Sequence, residues 1–522
     1  MPSYFLGLDS STQSLSSVLI DLESGQLLDD RSVVFERDLP QYNTQNGVFR
    51  QDGSNEVHSS PLMWADAMDL LFLQLKKEKL PLGELLAISG SGQQHGTVYL
   101  TENATKQIGE MDLNGSLADN VARVLSRPSS PVWMDHSTTT ECEQIREALG
   151  GKSAAVAATG SDIIERFSGP QIRKFAVEQP GAYKQTGHIA LVSSFLSSLV
   201  AGQISPIDFG DGAGMNLMDI ASLTWNPQAL EATAPNLREK LPPLASSDTV
   251  LGVINPYLAM KYGVNPSAKA VVWSGDNPCS LIGTGLVKPG HTAISLGTSD
   301  TLFGAMKECK TDPRGEGHVF GSPAGGYMSL ICFKNGSLAR EKVKDHYGLD
   351  WLGFSEALRN TPAGNDGKLM LPWFEPESVP HVGNAGVRRK NLQEEDAAGN
   401  CRAVVEAQMM AMRLHSEWMG SRPTRIYATG GASMNPEILQ IMADVQQAPV
   451  YRQRTSNGAG LGAALRAAHA WTQTTLGDAD WEHIVAPFTQ PDPASETLPN
   501  PDNAAIYDGL LKKYAAFESE RM

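Results

Sequence analysis

Asp9 is followed by Ser10, Ser11, Thr12 and Gln13, and far along the chain Gly297-Thr298-Ser299-Asp300 repeats the hydroxyl-rich pattern. Turns of this composition point hydroxyls and backbone amides one way, a concavity suited to phosphate oxygens. Asp9 cannot face a polyphosphate unaided, because like charges repel. A divalent cation between them would reconcile the charges, since Mg²⁺ prefers carboxylate, water and phosphate oxygen. Taken singly, each turn is equally an ordinary solvated hairpin. Thr429-Gly430-Gly431-Ala432 offers bare backbone on which a flat adenosine can lie, with Asn435 close behind. The same glycines would also serve a tight strand–helix turn, and Asn435 a helix cap. As an ordered set, the three segments imply a site for a nucleotide triphosphate.

A second set of residues suits a polyhydroxylated ligand. Gly92-Gln93-Gln94-His95-Gly96 offers neutral donors and acceptors, which a polyol needs because each buried hydroxyl left unpaired costs free energy. A histidine in a glycine-bounded loop is also a common structural feature. Two aspartates after glycine compete for the role of base: Asp211 in Phe209-Gly210-Asp211-Gly212 and Asp276 in Gly275-Asp276-Asn277. A carboxylate within hydrogen-bond reach can accept a proton from an attacking hydroxyl, and phosphoryl transfer asks little else beyond positioning and charge neutralisation. Asp276 follows the apolar strand Ala270 to Trp273, the better location.

The elements that must position these residues follow an α/β pattern. Tyr4 to Asp9 and Leu15 to Ile20 read as a hairpin, as do Thr292 to Leu296 and Thr301 to Met306. Further strands are expected at Leu85 to Ser89, Pro131 to Met134, Ala270 to Trp273 and Arg425 to Ala428, each ending in a polar or glycine-rich loop. Ala407, Ala411, Leu414 and Trp418 recur at helical spacing, and Ile438, Leu439, Met442 and Val445 line a helix that Pro436 can open. Another helix is expected from about Asn457, with Gly458, Gly460 and Gly462 permitting close backbone approach. The repeat of the hairpin suggests two large lobes, 1–285 and 286–522, around a deep cleft.

Composition bounds the partners. With 522 residues there is room for several domains, and 41% apolar against 19% charged residues excludes a disordered chain. Lys and Arg number 42 against 58 Asp and Glu, a net charge of −16 that argues against nucleic acid as the main partner. Cys142, Cys279, Cys309, Cys332 and Cys401 are scattered singly, giving neither a zinc pattern nor a disulfide framework. The first residues lack a secretory pattern, and no apolar run reaches the about 18 residues of a spanning helix. A cytoplasmic protein, monomeric or homodimeric and without membrane association, is the expectation.

GLDSSTQSLSSVLID, ISLGTSDTLF and YATGGASMNPEILQIMADV together resemble the FGGY carbohydrate kinases of the actin-like ATPase superfamily. SGSGQQHGTVYL, PVWMDHSTTTECEQI, ERFSGPQIRKF and VVWSGDNPCSLIGTGL resemble the xylulose kinases within it, the animal form more than the shorter bacterial one. The resemblance runs from Tyr4 to about residue 470. It implies two ribonuclease-H-like domains, with the sugar and base in the first and most of the nucleotide in the second. It implies ATP, Mg²⁺ and D-xylulose as ligands, and D-xylulose 5-phosphate as product. By the same resemblance Gln94, His95, Arg166 and Asn277 contact the sugar, Asp276 is the base, and Asp9 is the metal-associated acid. Thr12, Gln13, Gly297, Thr298 and Ser299 fall on the phosphates; Trp351, Gly430, Gly431, Ala432 and Asn435 on the rest of the nucleotide. Bare, Trp351 reads as a helix core residue and Arg166 as a surface ion-pair partner. The Asn-Gln-Arg-Glu run of the family's glycerol kinases is absent. Relatives often have Arg after the aspartate matching Asp135, where this chain has His136, so the role of Asp135 stays open. Asp211 matches a family position that organises its loop. Two alternatives remain: a kinase of the family acting on ribulose or another polyol, and an actin- or chaperone-like ATPase.

Overall fold

The computed structural model describes residues 2–50, 53–453 and 457–520. The chain forms two compact units. The first comprises Met1–Val287, Val319–Tyr327 and Thr455–Thr489; the second comprises Lys288–His318, Met328–Arg454 and Gln490–Met522.

In the first unit the expected hairpin is β1 (Tyr4–Ser10) and β2 (Ser14–Asp21), extended by β3 (Gln26–Val34). β4 (Leu85–Gly92) lies parallel to β1, and β5 (Val250–Val253) and β6 (Lys269–Val271) extend the sheet in the order β5-β6-β4-β1-β2-β3, with the short segment Ser274–Gly275 also paired to β4. Period-two alternation sorts the side chains. Leu6, Leu8, Leu15 and Leu19 join a core with Trp64, Met68, Leu71 and Phe72 of the helix Pro61–Lys77. Phe5, Val18 and Ile20 join a second core with Leu461, Ala464, Leu465 and Ala468 of the helix Gly458–Leu476. That helix lies so close that a Cβ on Gly7 would stand 2.2 Å from the Gly460 carbonyl oxygen. The register brings Asp9 level with Ser91 of β4, and Ser91 level with Ser274 beyond β6. The site residues therefore emerge together where three neighbouring strands end.

In the second unit β7 (His291–Leu296) and β8 (Asp300–Met306) form the repeated hairpin. With β9 (Tyr327–Phe333), β10 (Arg425–Thr429) and β11 (Val450–Arg452) they follow the order β9-β8-β7-β10-β11. β7 and β10 run parallel, with Ser295 level with Thr429, so the hairpin turn and the Thr-Gly-Gly-Ala loop leave the same end of the sheet. The expected helices are Ala397–His415, which ends before Trp418 of the following turn Glu417–Met419, and Pro436–Gln446; the chain closes with the helix Pro501–Ser519.

Three expectations change. A linear division at 285 and 286 misses the helix Gly458–Leu476, whose glycine-bared backbone is seated on β1 in the first unit. The strand expected at Pro131–Met134 is only Ser130–Pro131, because the chain then turns to deliver Asp135 to a ring of donors. β6 stops at Val271, two residues short, and the buried Trp273 serves the core. No helix among the described residues is long and apolar enough to cross a membrane.

Candidate active site

Asp276 opens the helix Asp276–Gly283, one residue after the strand end Ser274–Gly275. Burial raises its pKa to about 6, against the pull of the Asn277, Asp276 and Gln94 backbone amides. The backbone amide of Asn277 donates to Asp276 Oδ1 at 2.8 Å. The Asn277 side chain donates to Gln94 Oε1 at 2.8 Å and to Asp276 Oδ1 at 3.1 Å. Such a carboxylate is ionised at neutral pH and basic enough to take a proton from a hydroxyl as it attacks.

Asp9 stands at the end of β1 with only 8% of its surface exposed. Burial raises its pKa to about 7, Ser91 pulls it down and the charge of Asp276 adds to the rise. Its Oδ1 is buried without a hydrogen bond. An unpaired buried carboxylate is costly and is relieved by a cation. Among the described residues no group of three or more His, Cys, Asp or Glu side chains could cage a metal. Mg²⁺ does not need one, since it keeps waters and phosphate oxygens around one or two carboxylates. Asp9 therefore fits the role expected of it.

Gln94 and His95 follow β4 directly and are buried. His95 has φ +73°, and its Nδ1 lies 2.8 Å from the Gly214 carbonyl oxygen. A carbonyl only accepts, so Nδ1 carries a proton. The ring stacks on Phe167 at 4.2 Å, and the half-buried Arg166 guanidinium lies 6.0 Å from the same Phe167 ring. Thr12 and Gln13 form the tip of the hairpin. Trp133 donates its Nε1–H to Thr12 Oγ1 at 2.9 Å, which leaves the Thr12 hydroxyl proton for donation.

Asp135 and Asp211 separate cleanly. The Asp135 carboxylate accepts from the Val57 amide, the Ser137 amide and hydroxyl, and the Gln171 amide at 2.6–3.0 Å. His58 stands 3.5 Å away, and these partners hold Asp135 well below the usual carboxylate range. A carboxylate so saturated anchors its loop and is no base. Asp211 is fully buried and accepts from the Ser193 hydroxyl. Desolvation raises it well above the usual range, Ser193 and Gln94 oppose the rise, and Asp208 and Asp276 add to it.

In the second unit, Trp351, Gly431, Ala432 and Asn435 line one cavity of about 580 Å³ with Ser337, Glu341, Leu352, Ser355, Met434, Pro436 and Ile438. Gly430, beside it, has φ +82°, and a Cβ there would come within 2.5 Å of the Leu296 carbonyl oxygen. Asn435 caps the helix Pro436–Gln446 through Oδ1, while its Nδ2 donates to Ser355 Oγ at 2.8 Å, tying two walls together. Trp351 is no core residue. It is 45% exposed at the start of the helix Trp351–Asn360, edge-on to Phe354 at 5.5 Å. The turn Gly297-Thr298-Ser299 adjoins the cavity: the Ser337 amide donates to the Gly297 carbonyl at 2.8 Å. Behind the turn, Arg340 grips Asp300 in a fully buried bidentate pair at 2.8 and 3.0 Å and also donates to Gln408.

The N-terminal domain model of the FGGY family of carbohydrate kinases matches residues 4–283, and the C-terminal domain model matches residues 292–471. The chain belongs to the FGGY family of carbohydrate kinases. Among curated relatives, the xylulose kinase of Rattus norvegicus is 42% identical, over 98% of this chain and 96% of that protein. Among solved structures, xylulose kinase from Rhodospirillum rubrum superposes with a TM-score of 0.81 at 20% identity, covering 99% of this chain and 98% of that one. Gluconate kinase from Lactobacillus acidophilus gives a TM-score of 0.81 at 20% identity, covering 100% and 98%. At such identities the superpositions establish the fold alone, a two-domain α/β architecture.

Some supporting residues of this FGGY chain were invisible in its sequence. Arg340 lies forty positions from Asp300, and nothing local announces that pairing. Arg466, fully buried on the helix Gly458–Leu476, donates to the carbonyls of Gly90, Ser247 and Val272 at 2.9–3.1 Å and so binds the strand ends beneath Gln94 and Asp276. An arginine between Leu465 and Ala467 looks like any solvated helix position. Ser337 and Ser355 carry no signal beyond helical context.

Proposed function

We propose that this chain phosphorylates D-xylulose with ATP, giving D-xylulose 5-phosphate and ADP. The reading is carried by Asp276: a base raised to about 6, tied by Asn277 to the polar loop that offers Gln94 and His95. It is supported by a 42% identical relative, the xylulose kinase of Rattus norvegicus, matched along nearly its whole length.

Gln94, His95, Arg166 and Asn277 bind the ketose, and Asp276 accepts the proton of its terminal hydroxyl as that oxygen attacks the γ-phosphorus. The P–O bond to ADP breaks as the new one forms. The hydroxyls and amides of Thr12, Gln13, Gly297, Thr298 and Ser299 take charge from the phosphates. Trp351, Gly430, Gly431, Ala432 and Asn435 hold the adenosine. Asp9 would hold Mg²⁺, which would supply neutralisation of phosphate charge. Family membership and the sugar-suited loop disfavour an ATPase that only drives assembly.

The test is ADP release by purified protein against a panel of D-xylulose, D-ribulose, glycerol, gluconate and no sugar. D-xylulose should give the highest kcat/KM, with a matching yield of 5-phosphate. A higher value for another member would move the substrate assignment, and turnover indifferent to sugar would end the kinase reading.

A further inference from the structure

Asp211 differs from the buried aspartates Asp135 and Asp208 in what surrounds it. Asp135 has four donors, and Asp208 accepts from the Asp211 amide at 2.8 Å, the Ser274 hydroxyl at 2.7 Å and the Ser247 hydroxyl. Asp211 has one close side-chain donor, Ser193, on Oδ2, and its Oδ1 is buried without a hydrogen bond. A residue needed only to shape its loop would be better served by a neutral side chain, since a half-paired buried carboxylate is costly.

Close by is a donor in the same condition: the turn that carries Asp211 runs on to Gly214, where a Cβ would stand 3.4 Å from Gln94 Nε2, and Ser193, the donor to Asp211, packs against Gly92, two residues before Gln94. Gln94 Nε2 is buried and makes no hydrogen bond, while Gln94 Oε1 accepts from Asn277 Nδ2 at 2.8 Å. The Gln94 side chain is close enough to Asp211 to lower its pKa. The amide has little room to turn: Cβ atoms on Gly275 and Gly214 would stand 2.8 and 3.4 Å from Gln94 Nε2. An amide can be seated either way round, and only a neighbour of fixed polarity decides which. A carboxylate demands the nitrogen.

We propose that Asp211 is a positioning residue for phosphoryl transfer: it holds the Gln94 amide with nitrogen inward, so that Oε1 faces Asn277 and orients that side chain beside the base. With Asn277 Nδ2 spent on Gln94 Oε1 and Asp276 Oδ1, Asn277 Oδ1 is left to accept a hydroxyl of the substrate. Asp211→Asn removes the polarity: an asparagine presents oxygen or nitrogen, the Gln94 amide reverses in part of the population, and its nitrogen then opposes Asn277 Nδ2.

This rests on the sugar kinase reading above, so wild-type enzyme is measured alongside, on whichever panel sugar it turns over best. Asp211→Asn should raise the sugar KM at least about fivefold, as expected when a buried polar network is half broken, and leave the ATP KM within twofold. Ser193→Ala, which loosens Asp211 without touching Gln94, should move the sugar KM in the same direction by less. Combining Asp211→Asn with Asn277→Ala should be non-additive, because both act on one orientation. If Asp211→Asn does not fold, the Ser193→Ala result decides. A wild-type enzyme inactive on every sugar sinks the kinase reading. An active wild type with unchanged sugar KM in both variants, or equal rises in sugar and ATP KM, overturns the role given to Asp211.

Discussion

One amide joins the polar loop to the base: Asn277 Nδ2 donates to Gln94 Oε1 at 2.8 Å and to Asp276 Oδ1 at 3.1 Å. The side chains come from positions 183 residues apart, 94 and 277. They meet because β4 and the strand segment Ser274–Gly275 run parallel, with Gly92 level with Gly275. The polarity of that pair constrains what each residue can do.

Asp276→Asn keeps the shape of the site and its amide contacts but removes the proton acceptor. Turnover should fall by about 10²–10⁴-fold, the usual contribution of a positioned base, with the sugar KM little changed. Steady-state kinetics check this, with a melting curve to exclude unfolding. A variant retaining full kcat would remove Asp276 from the role.

Activity should show an acid limb. Asp276 is raised to about 6, so it is a competent base above that pH and is lost by protonation below it. The limb of kcat/KM should lie near pH 6 and fall about tenfold per unit below it. Asp9 is raised to about 7, and a proton there competes with Mg²⁺. The Mg²⁺ concentration for half-maximal rate should therefore rise as pH falls through 7. Titrations of Mg²⁺ at pH 6, 7 and 8 read it directly.

Arg340→Met leaves Asp300 buried without its partner. Breaking one side of such a pair costs about 3–5 kcal/mol, whereas replacing both with apolar groups costs much less. Denaturant unfolding of Arg340→Met and of the double variant with Asp300→Leu should show that order. The single variant should also weaken ATP binding, because Asp300 adjoins the Gly297-Thr298-Ser299 turn.

Trp351 is 45% exposed, so Trp351→Ala should leave the melting temperature almost unmoved. It lines the second unit's cavity, and the ATP KM should rise about tenfold, the equivalent of about 1.4 kcal/mol of lost ring contact. The sugar KM should stay where it is. Loss of stability without change in ATP KM would return Trp351 to a structural role.

What the sequence disclosed and what it hid divide along locality. The hairpins at Asp9 and at Gly297 were legible because short apolar runs broke off at hydroxyl-rich turns. Asn435 was legible because a cap needs only its own helix. The glycines at 458, 460 and 462 announced a close approach, but nothing local named β1 as the surface approached. Asp135 could not be assigned because its donors come from Val57, Ser137 and Gln171, two of them distant in the chain. Trp351 misled because an aromatic on a helix is core far more often than surface, and only the folded chain shows which face it occupies.

The helix Gly458–Leu476 falls partly within the span matched by the C-terminal family model, yet its backbone fills a trough over β1 in the first unit. A gene truncated after Val287 would thus encode a sheet stripped along one side, with Phe5, Val18 and Ile20 turned out to water. The two halves can be told apart by reading, but they cannot be inherited or expressed as separate proteins without redesigning that seam.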